Sequence, residues 1–243
     1  MASGTPSRSH LGGNTNLPAA VTWPEWNGRR LDLLARISMP ELQQTHRIDW
    51  LPQEGALLFF FDTDEQPWGF DPNDRGGSAV LHVPDLETPI SDSSAGIGGE
   101  NSFPHRSLIL RGVDTFPSTD RPELKALSDE EKEAYWSFLD TAFEELPKHQ
   151  LGGFPYPIQS DDMELQCQLV THGLYLGDST GYDDPRAKRL GIAAKDWRLL
   201  LQLDTDVDAD MMWGDSGTLY FWVRQEDAAA RRFQNVWTIL QCF

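Results

Sequence analysis

Seven short runs of β-branched, aromatic and aliphatic residues, most of them next to a Gly, Pro or Asp, restrict the fold of this 243-residue sequence more than any other feature. Such runs predict β-strands. They lie at residues 56–61, 78–83, 107–111, 163–170, 198–203, 218–223 and 236–241. Because helical patterns do not alternate with these runs, the sequence favours an α+β fold, with a mainly antiparallel β-sheet and a few helices packed on it.

A weak internal repeat divides the sequence into two halves. Three motifs recur in the same order: 10–13 with 149–153, 33–37 with 199–203, and the stretch from Trp50 with the stretch from Trp213. We infer a duplicated unit made of a Gly-Gly turn, a strand, a connector ending in Trp, and a second strand that pairs with the first. Residues 1–243 would form a single domain, with halves at about 9–112 and 148–241 joined by a helix at about 129–146.

The joining helix is predicted to begin at Ser128, where the sequence Ser-Asp-Glu-Glu forms a capping box. The Ser128 hydroxyl can accept a hydrogen bond from the backbone of Glu131, while the Glu131 carboxylate reaches back to Ser128. Apolar residues from Tyr135 to Phe143 then follow at helical spacing, which is typical of a helix face packed on a core. A shorter helix is predicted over 225–233.

The composition describes a globular, strongly acidic protein. It is 39% hydrophobic, which is too apolar for general disorder, and its formal net charge of -18 disfavours nucleic acid and anionic membranes as ligands. A basic protein partner would suit this charge, and the oligomeric state is left open. Without a signal-peptide pattern or a run of 18 apolar residues, the sequence indicates a cytoplasmic protein.

Several motifs of the second half, taken together and in order, resemble the bacterial YwqG-like family, a domain family of unknown function. The motifs lie at 149–159, 199–206, 211–223 and 236–241. The resemblance implies a Gly-Gly-x-Pro segment that ends in Gln, here Gly152, Gly153, Pro155 and Gln159, and a Trp-Gly-Asp-x-Gly turn that begins at Trp213. It also implies the fold and a cytoplasmic habitat, but no established reaction.

The strongest suggestion of a metal site is a run of alternating aspartates: Asp204, Asp206, Asp208 and Asp210. With Asp215 they match the ligand positions of a twelve-residue calcium loop in number. However, Ala209 stands where that loop needs Gly, Asp215 stands where it needs the longer Glu, and predicted strands flank the segment, so an EF-hand is excluded. Two interpretations stay open: a looser calcium site, and an acidic hairpin connector whose aspartates accept turn hydrogen bonds. No other cofactor is predicted.

The sequence contains no recognisable catalytic motif, which favours a non-enzymatic binding or interaction protein with an acidic surface, of which a regulatory or immunity-type protein is one version. The candidate ligand-binding residues are His149, Gly152, Gly153, Gln159, Trp213 and Asp215. One alternative is an enzyme that acts on a small molecule in a cleft between the two halves, with His149, Gln159 and Asp215 as its polar groups. The other alternative is a module that binds divalent cations.

Overall fold

The computed structural model describes residues 7–15, 17–84, 103–119, 121, 124–142 and 147–243. The strands are β1 (His10–Leu11), β2 (Glu25–Trp26), β3 (Arg29–Arg30), β4 (Asp32–Ser38), β5 (Ala56–Phe61), β6 (Ser78–Val83), β7 (Arg106–Ser107), β8 (Trp197–Asp204), β9 (Thr218–Arg224) and β10 (Trp237–Gln241). The helices are α1 (Met39–Thr45), α2 (Asp129–Ala142), α3 (Met163–Val170), α4 (Thr180–Asp183), α5 (Ala187–Leu190) and α6 (Gln225–Ala229). All sheet pairings are antiparallel, and the predicted α+β class is confirmed.

Two of the seven predicted strands differ in the structure. Residues 163–170 form helix α3, because Met163, Cys167 and Val170 also lie at helical spacing and pack as one face against the second sheet. In the run at 107–111, only Ser107 belongs to a strand, and the chain continues beyond it without regular structure. The polar stretch between 86 and 104, which the sequence indicates to be a long loop, lies almost entirely outside the described residues.

Two sheets pack face to face and form the main core. One sheet has five strands in the order β6-β5-β4-β1-β7, and the other has three in the order β10-β9-β8. Phe59 of β5 meets Phe221 of β9 edge to face, with ring centroids 5.3 Å apart. The outer face of the first sheet is covered by the segment around Trp23, and that of the second by α3. The runs in β5 and β9 are continuously apolar because both faces of these strands are buried.

The two sheets share one pairing pattern. Each contains a three-stranded meander, β4-β5-β6 in the first and β8-β9-β10 in the second, and the register shifts between Leu33 and Ala35 as it does between Leu199 and Leu201. His10 of β1 lies opposite Arg36 of β4, and Gln150 bridges to Gln202 of β8. The boundaries predicted for the two halves stay a prediction.

These pairings set the correspondence between the two Gly-Gly turns. Gly12 and Gly13 have φ angles of 54° and 71°, and Gly152 and Gly153 have 68° and 74°. His10 precedes the first turn by the same number of residues as Gln150 precedes the second. In hydrogen-bonding register, His10 therefore corresponds to Gln150 and not to His149.

Helix α2 begins at the predicted capping box. The backbone N–H of Ser128 donates to Glu131 Oε2 at 2.8 Å, and the N–H of Glu131 donates to Ser128 Oγ at 3.3 Å. The helix packs against a nearby segment through Tyr135, whose hydroxyl donates to the carbonyl of Pro117, rather than against the core between the sheets. Phe138 accordingly stays 45% exposed, so the prediction that it belongs to the core is wrong. None of the helices in the described ranges has the length and apolar character to cross a bilayer.

Candidate functional site

A cleft of about 710 Å³ opens where the β4 side of the first sheet and the β8 side of the second approach each other. Aliphatic side chains from both parts of the chain line it: Leu11, Ile37, Leu42, Ile48, Leu108, Ile109, Leu110, Val113, Leu151, Leu201 and Leu203. Its volume lies within the range of about 300–1,000 Å³ that is usual for ligand sites. The cleft therefore provides an apolar floor of useful size.

The lining also includes polar residues: Thr45, His46, Arg111, Asp114, Thr115, Thr141, Lys148, His149 and Gln150. Two of these residues, Arg111 and Lys148, are basic. Lys148 Nζ lies 3.3 Å from the centroid of the Tyr156 ring, a cation–π contact that directs the ammonium group to a residue outside the lining. The lining thus combines apolar and polar residues, which suits a ligand that has both kinds of surface.

His149 is the only one of the six predicted ligand-binding residues that lines the cleft. The backbone N–H of Asp204 donates to His149 Nδ1 at 3.1 Å, and His149 Nε2 lies 3.2 Å from Asp206 Oδ2. Because Nδ1 accepts, the proton of the neutral ring is on Nε2 and is donated to Asp206. Both ring nitrogens are therefore engaged within the protein.

The carboxylate of Asp206 is held in its charged form. Burial alone would raise its pKa, but hydrogen bonds from His149 and from the backbone N–H groups of Ala209 and Asp208 outweigh burial, so the pKa is lowered from its ordinary value. A charged Asp206 in turn fixes the orientation of the His149 ring. This pair positions the 148–151 segment beside the cleft.

The Gly-Gly turn at Gly152 and Gly153 positions the chain after His149. A Cβ atom at Gly153 would overlap the side chain of Thr115, so this position requires Gly for its positive φ and for the close approach. Thr115 Oγ1 accepts a hydrogen bond from the N–H of Phe154 at 3.0 Å, and Gln150 Nε2 donates to the carbonyl of Gly152 at 3.1 Å. The two glycines therefore shape one end of the cleft without lining it.

The remaining predicted ligand-binding residues lie elsewhere. Gln159 Nε2 donates to the carbonyl of Cys242 at 2.8 Å and ties its segment to the C-terminal strand. Trp213 is fully buried in the core between the sheets, and Asp215 is exposed in a turn. The structure therefore does not bring Gln159 and Asp215 into the cleft with His149.

Two of the four alternating aspartates, Asp204 and Asp206, accept hydrogen bonds from other parts of the protein. Asp204 Oδ1 accepts from the Thr218 hydroxyl at 2.7 Å, and its Oδ2 accepts from the backbone N–H of Lys148 at 2.9 Å. Asp208 and Asp210 are exposed. Within the described ranges, no group of three or more His, Cys, Asp or Glu side chains is arranged to hold a metal ion. The hydrogen bonds of Asp204 are those expected of an acidic connector, and the calcium site stays a prediction.

The cleft also contains residues that the sequence did not indicate as functional. Ile109 is 92% exposed and Val113 is 60% exposed, although both are aliphatic and line the cleft. The sequence signals Ile109 only through the apolar run at 107–111, which predicts a strand, and it gives no signal for Val113. The apolar residues of this run beyond Ser107 instead form one wall of the cleft.

The comparisons with known proteins identify a family but no activity. No curated protein matches the chain. A family model matches residues 9–242, which is nearly the whole sequence and includes both sheets and the cleft. The chain belongs to the family described as "Domain of unknown function (DUF1963)".

Proposed function

We propose that the protein is a non-enzymatic binding protein whose cleft holds an aliphatic part of its ligand. The observation that carries this proposal is the cleft of about 710 Å³, with aliphatic side chains from both parts of the chain on its floor. A ligand that removes exposed aliphatic side chains such as Ile109 from water lowers the free energy of the complex. Such a ligand would bind by burial of apolar surface, with the polar rim setting its orientation.

The arrangement of His149 supports binding over acid–base catalysis. A general base needs a ring nitrogen within hydrogen-bonding reach of substrate, whereas the two nitrogens of His149 contact Asp204 and Asp206. The polar groups of the alternative enzyme hypothesis, Gln159 and Asp215, do not line the cleft. The net charge of -18 further suits a basic protein partner, as in a regulatory or immunity-type interaction.

We also propose, because its motifs occur in the order of that family, that the chain is a cytoplasmic, bacterial member of the YwqG-like family.

Binding of the uncharged fluorescent dye Nile red tests the cleft. We expect saturable binding to the wild-type chain and at least about tenfold weaker binding to Ile109→Glu and Val113→Glu, because each variant places a charge on the apolar lining. Ile192→Glu is the matched control, since Ile192 is 70% exposed and does not line the cleft. Thermal melting of each variant checks that the fold is retained. Equal affinity in all four proteins would refute the proposed site.

A further inference from the structure

The outer edge of β1 is covered by a short strand. His10 and Leu11 lie opposite Ser107 and Arg106 of β7, and the N–H of Leu108 donates to the carbonyl of Ser9 at 2.9 Å. In an antiparallel sheet, successive residues direct their backbone groups alternately to the two sides of the strand. The residues next to His10 therefore hydrogen-bond outward to the β7 segment, while His10 itself pairs inward with β4.

No described residue pairs with the corresponding edge in the second half. Gln150 exchanges both backbone hydrogen bonds with Gln202, so the backbone groups of His149 and Leu151 are directed to the opposite side. Among the residues that the structure describes, none hydrogen-bonds to the N–H or carbonyl of His149 or Leu151. Leu11 is buried, but Leu151 is only partly buried, as expected for a residue with no outer neighbour among the described residues.

This uncovered edge borders the cleft. His149, Gln150 and Leu151 all line it, and the carbonyl of His149 corresponds to the carbonyl of Ser9 that accepts from Leu108. Thr115 limits the free edge at the Gly153 end, which leaves room for a strand about as short as β7. A neighbouring strand would lie about 4.8 Å away, beside the apolar floor.

We propose that the ligand of the cleft is an extended polypeptide segment that adds as a strand to the edge at residues 149–151, in the place that β7 takes beside β1. This inference rests on the proposed function of the cleft. Main-chain hydrogen bonds to His149 and Leu151 would supply register, and side chains at alternate positions would enter the cleft.

The segment that covers β1 shows what chemistry such a ligand needs. Leu108 and Leu110, two residues apart, pack against the core between the sheets, while Arg106 and Arg111 are exposed. Aliphatic side chains at alternate positions can pack against the apolar lining of the cleft. Basic residues beside them are attracted by a chain with a net charge of -18. The ligand class is therefore a basic, extended peptide with alternating aliphatic side chains.

A synthetic peptide with the sequence of residues 104–111, labelled with fluorescein, is the probe, and its binding to the full chain is followed by fluorescence anisotropy. Two further peptides carry one N-methyl group each. Methylation of the amide at the Leu108 position removes an N–H that faces the sheet edge, whereas methylation at the Ser107 position alters an N–H that faces away. We expect the unmodified and Ser107-methylated peptides to bind, and the Leu108-methylated peptide to bind at least about tenfold more weakly.

Binding must also depend on the cleft. We expect Val113→Gln, which makes the lining polar without adding a charge, to weaken binding of the unmodified peptide, and Ile192→Gln to leave its affinity unchanged. Peptide binding that is equal for the two methylated peptides, or that survives Val113→Gln, would overturn strand addition at this edge. Nile red binding without peptide binding up to about 1 mM would overturn strand addition and leave the cleft as a ligand site. Failure of both probes to bind would overturn both proposals.

Discussion

Acid should destabilise this fold partly through one buried histidine, His10. It is 1% exposed, its Nδ1 lies 2.9 Å from the carbonyl of Gly12, and its ring centroid lies 4.6 Å from that of His105. Burial is the main reason that its pKa is lowered from 6.5 to about 4, and the charges of His105 and Arg36 act in the same direction. The folded protein therefore binds a proton at His10 less readily than the unfolded chain.

The sign and size of the effect follow from linkage. Between pH 6.5 and about 4, the unfolded chain holds a proton at His10 that the folded protein lacks, so the free energy of unfolding falls as the pH falls through this window. One pKa unit corresponds to about 1.4 kcal/mol, so the full contribution is about 3 kcal/mol, an order-of-magnitude value. Above pH 6.5 both states are neutral at this position, and the contribution to stability is fully present.

The variant His10→Gln isolates this contribution. Gln150, which corresponds to His10 in pairing register, donates from its side chain to the carbonyl of Gly152 at 3.1 Å, so Gln at position 10 can keep the equivalent bond to Gly12. The free energy of unfolding is measured by urea unfolding at pH 7, 5.5 and 4. Between pH 7 and pH 4, we expect it to fall by about 3 kcal/mol less in the variant than in the wild type. His172→Gln, at an exposed histidine, is the control. If the free energy of unfolding falls with pH by the same amount in wild type and in His10→Gln, the reasoning is refuted.

Two further predictions concern the Gly-Gly turn and the acidic connector. Gly153→Ala should destabilise the protein by about 1–3 kcal/mol more than Gly173→Ala in urea unfolding, because both positions have positive φ but only a Cβ at Gly153 would overlap Thr115. Calcium at about 1 mM should not raise the melting temperature, because the carboxylates of Asp204 and Asp206 already accept hydrogen bonds from the protein. A rise that Asp206→Asn abolishes would revive the calcium site.

Local signals in the sequence predict those parts of the fold that local chemistry decides. The capping box at Ser128 needs only residues three apart, and it forms as predicted. The runs at 56–61 and 218–223 form central strands because a short apolar stretch bounded by Gly suits a position buried on both faces. The run at 163–170 satisfies the periods of both strand and helix, and its packing against the second sheet decides for the helix.

The cleft could not be predicted in the same way because it depends on how distant segments meet. The sequence indicated His149 because it precedes a Gly-Gly turn, and His149 does line the cleft. The sequence also matched it to His10, whereas the hydrogen bonds match His10 to Gln150. A one-residue offset reverses which side of the strand a backbone group faces. Only the pairing with Gln202 shows that the backbone of His149 faces outward.

The negative charge of the protein opposes aggregation through the edge at residues 149–151. Unpaired N–H and carbonyl groups at a sheet edge attract other extended chains, and short length and charge are the usual protections. Here the free edge spans residues 149–151, and two copies that each carry a charge of -18 repel one another. Under the proposed strand addition, the same charge would attract a basic segment, so the edge would discriminate between a second copy and a peptide of opposite sign.

This discrimination predicts a salt dependence. Affinity for the 104–111 peptide should fall as salt rises from about 0.05 M to 0.5 M, because the Debye length shortens over that range. A peptide in which the positions of Arg106 and Arg111 carry Gln should bind more weakly at low salt and respond much less to salt. Both can be measured by the same anisotropy titration. If the two peptides respond equally to salt, charge does not select the ligand, and protection of the edge must come from its short length alone.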